Sequence, residues 1–234
     1  MLPLKDDIPT KFFPLVTVGL IAANILAFLY QLSLQATDDP HALRAAQVFV
    51  LEFGVIPCRL TGSCAAPADF PHPVLTIFTS MFLHGGLFHV FGNMLYLWIF
   101  GNNVEDTLGR GRFVAFYLLS GVAAALAQTA VGPSSHTPMV GASGAVSGVL
   151  AAYLVLYPRA RILTLIMFGF FIRLVRVPAL VVLGFWIIVQ TLNGVITFGS
   201  GDEGGVAWFA HIGGFVAGLG LLAVLRPRRA RRSW

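Results

Sequence analysis

The sequence predicts an all-α, polytopic membrane protein in which six transmembrane helices form one bundle. Of its 234 residues, 57% are apolar and 11% are charged, whereas a soluble domain carries about 25% charged residues. Its apolar segments are each close to the roughly 20 residues that cross a bilayer. The distribution of Lys and Arg fits six spans with both termini in the cytoplasm.

The spans follow the apolar segments in chain order and make one membrane domain, 1–234. The second span is the end of a longer apolar stretch, Val74–Gly101, which His84-Gly85-Gly86 interrupts. We therefore expect Val74–Leu83 to lie near the interface. The first span exceeds the about 7–15 apolar residues of a signal peptide, so we expect it to be retained. The predicted spans are 14–34, 86–101, 113–131, 140–157, 177–198 and 206–225.

Charge predicts the orientation. With six spans, every Lys and Arg except Arg44 and Arg59 falls on the side of the N-terminus, whereas five or seven spans would destroy this bias. The sequence therefore predicts an N-in, C-in protein of the cell (plasma or inner) membrane. The basic cytoplasmic tail, 226–234, is typical of a topology signal or of contact with anionic lipid, so no nucleic-acid partner is expected. Cys58 and Cys64 share the first outside loop, as a disulfide or as free thiols.

Few polar side chains lie inside the predicted spans, and such groups are functional candidates by default. No Asp, Glu or Lys is among them. This excludes an aspartate-pair protease, a Ser–Lys peptidase and an H-E-x-x-H zinc protease, and it disfavours a proton-driven transporter. Serine and histidine remain as the residue types that could carry a reaction in the membrane. The candidates are His89, Asn93, Gln128, Ser143, Ser147, Gln190, Asn193 and His211, with His84 at an entrance.

Four of these groups share one depth. Counting about 1.5 Å per residue from the outer end of each span places Ser143 and His89 at roughly 5 Å, His211 at roughly 8 Å and Asn93 at roughly 10 Å. Ser143 lies in "GASG", between Gly141 and Gly144. Either these small residues form an ordinary packing seam, or they give access to Ser143. The two readings stay open on the glycines alone.

Small residues recur every four positions in two spans and allow two helices to approach closely. They are Gly144, Gly148 and Ala152 in the fourth span, and Ala210, Gly214 and Gly218 in the sixth. Each row carries one reactive side chain at its start, so packing of these faces would bring Ser143 to His211, which could accept its proton.

His89 and Asn93 lie four residues apart and share a helix face. Both can donate hydrogen bonds to an oxyanion that forms beside Ser143. Each also has a structural reading: His89 as a satisfied buried histidine, and Asn93 as an interhelical hydrogen bond.

These motifs resemble those of the rhomboid family of intramembrane serine proteases. The resemblance covers roughly Pro57 to Leu225 and lies in "HGGLFHVFGNMLYLWIFG", "VEDTLGRGRF", "GASG" and "AHIGGFVAG". It implies a six-helix bundle, a catalytic pair of Ser143 and His211 without an acidic third member, and no cofactor. It also implies oxyanion-side roles for His89 and Asn93, with His84 as an accessory histidine. The implied substrates are transmembrane proteins. The shallow depth of Ser143 then predicts single-pass substrates that are cut near their outer end.

Two positions depart from that family. Members commonly carry an aromatic residue four positions after the serine, packed on the histidine, and here this position is Ser147. Either a neighbouring helix holds His211, or the histidine is held less firmly. The first outside loop contains Arg59 but lacks the tryptophan that often accompanies it.

Two other functions compete with an active protease. One is a catalytically inert relative that binds membrane clients, which is expected to have lost Ser143 or His211. The other is a small transporter or metal carrier built on His84, His89 and His211, for which a buried carboxylate or nearby cysteine ligand is missing. Both are weaker readings, because both reactive residues are present.

Overall fold

The fold is described by a computed structural model that covers residues 1–35, 40–168, 171–200 and 206–227. Helices dominate it. The predicted basic tail lies mostly outside the described residues. In chain order, the elements are β1 (Leu2–Lys5), α1 (Leu15–Ser33), α2 (Pro40–Phe53), α3 (Pro57–Leu60), α4 (Pro73–Thr79), a 3₁₀ turn (Ser80–Phe82), α5 (Leu87–Tyr96), a π-helical turn (Leu97–Gly101), α6 (Asn102–Leu108), α7 (Arg110–Val131), α8 (Ser143–Leu156), β2 (Arg161–Phe168), β3 (Phe171–Pro178), α9 (Ala179–Ser200) and α10 (Trp208–Leu225).

Several of these helices are long and apolar enough to cross a bilayer. Among the described residues, four helices have the length and the apolar composition that a membrane span requires, namely α1, α7, α9 and α10. Two further helical segments, Pro73–Phe82 and Leu87–Leu108, meet the same requirement only when taken together, and they are bent by 83° relative to each other. The apolar helix α8 is shorter, with 14 residues. The chain is therefore a polytopic, mainly helical membrane protein, while the count of six spans and their orientation stay predictions.

The helix that contains the second predicted span continues past Gly101, where that span was expected to end. The π-helical turn joins α5 to α6, and the helix runs on to Leu108. The polar residues after Gly101 look like a loop, but Glu105 is buried with partners. Its carboxylate accepts hydrogen bonds from the backbone N–H groups of Val16 (3.0 Å) and Thr17 (2.8 Å) and from the Thr17 hydroxyl (2.8 Å). Glu105 thus caps the N-terminus of α1, where a negative charge is favoured.

A three-stranded sheet corrects the all-α prediction. The strands lie in the order β1-β2-β3, with both pairs antiparallel. The sequence predicted no strand between the fourth span, which was expected to end at Tyr157, and the fifth, which was expected to begin at Val177. In fact Arg161–Phe168 and Phe171–Pro178 pair over their full lengths. Aliphatic and β-branched residues are abundant in both segments and favour strands.

The helices α8 and α10 meet backbone to backbone, as the small-residue rows predicted. A Cβ added at Gly218 would lie 2.6 Å from the Gly148 Cα atom, and one at Gly214 would overlap the Gly144 carbonyl oxygen. On the other side of α8, a Cβ added at Gly144 would lie 2.5 Å from the Ala124 Cβ atom of α7. Glycine is therefore a steric requirement at this junction of α7, α8 and α10.

The loop between α2 and α4 is fastened to the loop that precedes α8. Cys58 and Cys64 form a disulfide, which resolves the alternative left open by the sequence. The Cys58 N–H donates to the Ser135 carbonyl at 3.0 Å. Arg59 is buried. Its Nη1 donates to the Leu51 carbonyl at 2.7 Å, and its guanidinium lies 5.0 Å from the centre of the Phe70 ring.

We predict that Gly214→Ala lowers the free energy of unfolding by about 1–3 kcal/mol, the usual cost of overpacking. The new methyl group would collide with the backbone of α8, which cannot turn aside as a flexible side chain can. The matched control is Gly220→Ala in the same helix, where an added Cβ meets nothing within 4 Å. Denaturation of both variants in detergent measures the difference, and equal stabilities would contradict the steric argument.

Candidate active site

Ser143 and His211 lie at the helix junction described above. Ser143 is the first residue of α8, and His211 lies in the first turn of α10. The Ser143 Oγ and His211 Nε2 atoms are 2.9 Å apart, which is hydrogen-bond distance. The first turn of α10 is held by Gln128 of α7, whose side-chain oxygen accepts the Ala210 N–H at 3.2 Å. The two residues predicted to meet are therefore in contact.

The other ring nitrogen of His211 has a partner that the sequence did not assign. Gln190 lies on α9, and its Oε1 atom is 2.6 Å from His211 Nδ1. An amide oxygen can only accept, so Nδ1 carries the proton and donates it. The lone pair is then at Nε2, where the Ser143 hydroxyl donates. This contact fixes the tautomer that a general base requires.

Trp186, one turn before Gln190 on α9, packs on the same histidine. Its ring centre lies 5.9 Å from that of His211. Ser147, at the position where the resemblance led us to expect an aromatic residue, instead donates to the Ser143 carbonyl at 2.6 Å. Of the two alternatives raised by Ser147, the structure thus supports the first: α9 supplies both the aromatic contact and the hydrogen bond to His211.

The backbone before Ser143 is shaped by Gly141. Its φ is +127°, in the region that favours glycine. An added Cβ would lie 2.7 Å from His89 Nε2 and 3.6 Å from Asn93 Nδ2, so both side chains approach this residue closely. The Gly141 N–H donates to the Ser80 carbonyl at 2.9 Å, and Met139 pairs with Val55. The loop that presents Ser143 is thus tied down at two points.

His89 and Asn93 both point hydrogen-bond donors toward Gly141. The Gly85 N–H donates to His89 Nδ1 at 3.3 Å, so in the neutral ring the proton is on Nε2, the atom that faces Gly141. The Asn93 Nδ2 atom is buried and has no partner within the described part of the chain. A buried amide donor without a partner costs about 1–3 kcal/mol, so it stands ready to bind an acceptor.

His84 lies behind His89 and outside the cavity lining. Its side chain is buried, and its ring meets that of His89 edge to face with centres 5.1 Å apart. Gln31 of α1 binds the His84 backbone through both side-chain atoms, at 2.9 Å and 3.2 Å. The structure therefore brings His84 to the second layer of the site, where it supports the His89 ring.

These groups open into one cavity of about 640 Å³. Asn93, His89, Ser143 and His211 line it, together with Trp186 from α9. The first backbone N–H groups of α8, next to Ser143, belong to a helix N-terminus and have no intrahelical acceptor. The cavity thus holds a hydroxyl–imidazole pair beside donors from a helix terminus and two side chains. That arrangement can bind and stabilise an oxyanion.

Comparison with known proteins identifies the class of membrane protein to which this site belongs. The Rhomboid domain model matches residues 71–228, a segment that contains every site residue named above except Gln31 and Val55. The chain belongs to the rhomboid family, and the resemblance seen in its motifs is confirmed.

Individual relatives agree with this assignment. The chain is 32% identical over 233 residues to RHOMBOID-like protein 1 of Arabidopsis thaliana, covering 93% of this chain and 55% of that protein. It is 39% identical over 85 residues to the human Presenilin-associated rhomboid-like protein, mitochondrial, covering 36% of this chain and 22% of that protein. It is 38% identical over 104 residues to Rhomboid protein 1, mitochondrial, of Saccharomyces cerevisiae, covering 41% and 29%. The chain thus spans about half or less of the length of these curated relatives.

Proposed function

We propose that this protein is an intramembrane serine endopeptidase that cuts transmembrane segments of other membrane proteins. The observation that carries the proposal is the 2.9 Å contact between Ser143 Oγ and His211 Nε2 inside a cavity. A serine hydroxyl is a weak nucleophile until a base accepts its proton, and the Nε2 lone pair is in place to do so. The Nδ1 contact to Gln190 holds the ring in the required tautomer.

In the proposed mechanism, Ser143 attacks the carbonyl carbon of the scissile peptide bond as His211 takes its proton. The oxygen that becomes negative accepts hydrogen bonds from Asn93 Nδ2, from His89 Nε2 and from the start of α8. His211 then gives the proton to the leaving amine, and water hydrolyses the ester on Ser143 by the same route in reverse. No group of this mechanism needs a buried carboxylate or a cofactor.

The substrate class follows from the depth of the site. Ser143 begins α8, so by the predicted topology it lies about 5 Å below the outer boundary of the bilayer. A peptide bond inside a stable helix cannot be attacked while its carbonyl is hydrogen-bonded and its backbone is shielded. We therefore propose single-pass proteins whose outer helix end is weakened by Gly, Pro or polar residues. Such a helix would enter from the lipid past α9, in the extracytoplasmic half of a cell membrane.

The reaction itself is tested with Ser143→Ala and His211→Ala. Each should abolish cleavage of a reconstituted transmembrane substrate, and the double variant should be no worse than either alone, because the two groups act as one unit. Labelling with a fluorophosphonate probe should disappear in Ser143→Ala. The matched control is Ser33→Ala, an exposed serine of α1 that donates to the Tyr30 carbonyl of its own helix, and it should keep both signals. Product mapping by mass spectrometry should place the cut near the outer end of the substrate.

Two results would contradict this proposal. Substantial hydrolysis by Ser143→Ala would remove the serine from the reaction. A wild-type protein that is folded but neither labels nor cuts would instead be an inert, client-binding member of the family.

The oxyanion role is tested with Asn93→Ala. Losing one donor should lower kcat by about 10- to 1000-fold, because the donor acts mainly on the charge of the transition state. KM should change little. Unaltered turnover together with a large loss of thermal stability would show that Asn93 is only a structural hydrogen bond.

The positioning role of Gln190 is tested with Gln190→Leu, which keeps the size of the side chain but removes the acceptor. Losing a hydrogen bond of about 1–3 kcal/mol should lower kcat by about 5- to 150-fold. KM and the melting temperature should stay near the wild-type values. Asn193→Ala is the matched control, since Asn193 lies on α9 but donates to its own helix at Val189. A Gln190→Leu enzyme with full kcat would show that the His211 tautomer is fixed in some other way.

A further inference from the structure

The sheet formed by β1, β2 and β3 packs against the bundle through one face of β2, and its other face is open. On β3 both faces are exposed, since Val175 lies opposite the buried Thr164 and is still 40% exposed. Ile162 and Thr164, two positions apart on β2, are fully buried, and Ile162 belongs to the main hydrophobic core. Because side chains alternate along a strand, the neighbours of these residues point to the other side. The family motifs end before this sheet on one side and resume after it on the other, so the proposed protease mechanism makes no use of it.

The open face is apolar at the end of the sheet where β2 connects to β3. Cross-strand pairing places Leu2 beside Leu165, Leu165 beside Leu174 and Met167 beside Ile172, all on this face. Met167, Ile172 and Leu174 are 57%, 67% and 60% exposed. An aliphatic cluster of this kind, contributed by all three strands, marks an interaction site when it stands uncovered on a protein surface.

The same face is basic at the opposite end of the sheet, where β2 begins and β3 ends. Arg176 and Lys5 both lie opposite Leu163, and Arg161 is two residues further along the strand. All three basic side chains are exposed. Arg173 adds a fourth positive charge on the opposite face of β3. Among the described residues of the three strands, the charged side chains are all positive.

The sheet lies at the level of the last helical turns. The Asp6 carboxylate, next to β1, accepts the Tyr153 hydroxyl at 2.7 Å, and Tyr153 is one turn from the end of α8. The Ile8 carbonyl accepts the Asn103 amide of α6 at 3.1 Å. With 14 residues, α8 is about 21 Å long, shorter than the roughly 30 Å of a hydrocarbon core. The chain therefore leaves α8 for β2 near the bilayer boundary, at the end of the bundle opposite Ser143.

We propose that this sheet docks on the membrane surface at that end, with its apolar residues in the acyl–headgroup boundary and its basic residues on anionic lipid phosphates. An aliphatic patch beside basic side chains is the pattern of interfacial membrane binding. Each basic residue near an anionic surface adds to the attraction. The sheet joins α8 to α9, and α9 carries Gln190 and Trp186. The docked sheet consequently anchors the cytoplasmic end of the helix that holds His211.

The proposal is tested with nitroxide labels on the wild-type chain, whose native cysteines are bonded to each other. Met167→Cys, Ile172→Cys and Leu174→Cys place labels on the open face, and Arg173→Cys places the matched control on the other face. The probe is a vesicle of phosphatidylcholine with phosphatidylglycerol. We expect oxygen to accelerate the spin relaxation of the first three labels more than a water-soluble nickel complex does. The control label should show the reverse.

The lipid charge is tested separately. Replacing Lys5, Arg161 and Arg176 with Gln should shift the three labels toward the nickel complex, by up to about 5-fold in inserted population for each charge. Arg112→Gln, which removes an exposed charge outside the sheet, should leave the accessibility of the labels unchanged. In vesicles of pure phosphatidylcholine, the labels on the wild-type background should behave as they do in the triple variant.

Two outcomes would overturn the proposal. Equal access of the nickel complex to all four labels would show that the sheet stands in water. Dipolar broadening between labels on separate chains would show that a second copy covers the face. Neither result bears on hydrolysis at Ser143, so this inference and the proposed protease function fail independently.

Discussion

The site depends on the close backbone contact between α8 and α10. Packed helices usually lie about 8–10 Å apart, with the distance set by the side chains between them. Here Gly144 and Gly148 face Gly214 and Gly218, and no side chain intervenes. Ser143 immediately precedes the first of these glycines, and a short serine side chain reaches a histidine on the next helix only across such a contact. Any side chain at the junction would therefore separate the two helices and, with them, the Ser143 hydroxyl and the His211 ring.

Around this contact, each remaining part of the site is held by a different element. The loop before Ser143 is fixed by the 3₁₀ turn through Ser80, and the start of α10 is fixed by Gln128 of α7. The His211 ring is held by α9 through Gln190 and Trp186. Because α9 is also the helix past which a substrate is proposed to enter, its displacement would remove the support of the base. Under the proposed function, entry of substrate and orientation of His211 are therefore coupled.

Two buried hydrogen-bond acceptors, Gln190 and Glu105, show how burial selects residue type. A carboxylate at the position of Gln190 would have to be desolvated near the middle of the bundle, at a cost of several kcal/mol. The neutral amide accepts the same hydrogen bond from Nδ1 without that cost. Glu105 is buried too, but its carboxylate accepts hydrogen bonds from the first backbone N–H groups of α1 and from the Thr17 hydroxyl. The buried negative charge of Glu105 is thus compensated by a helix N-terminus.

The sequence by itself determined the membrane class, the candidate pair Ser143 and His211, and the helix faces that meet. Composition, the absence of membrane carboxylates and the spacing of glycines all act locally, so they can be read along the chain. The tertiary structure decided the partner of His211, the burial of Glu105 and the three-stranded sheet. Gln190 lies on a largely apolar helix, and the apolar residues of such a helix carry little periodicity to show which face meets a neighbour. Strand pairing of Leu2–Lys5 with Arg161–Phe168 likewise joins residues that are far apart in the chain, and only folding brings them together.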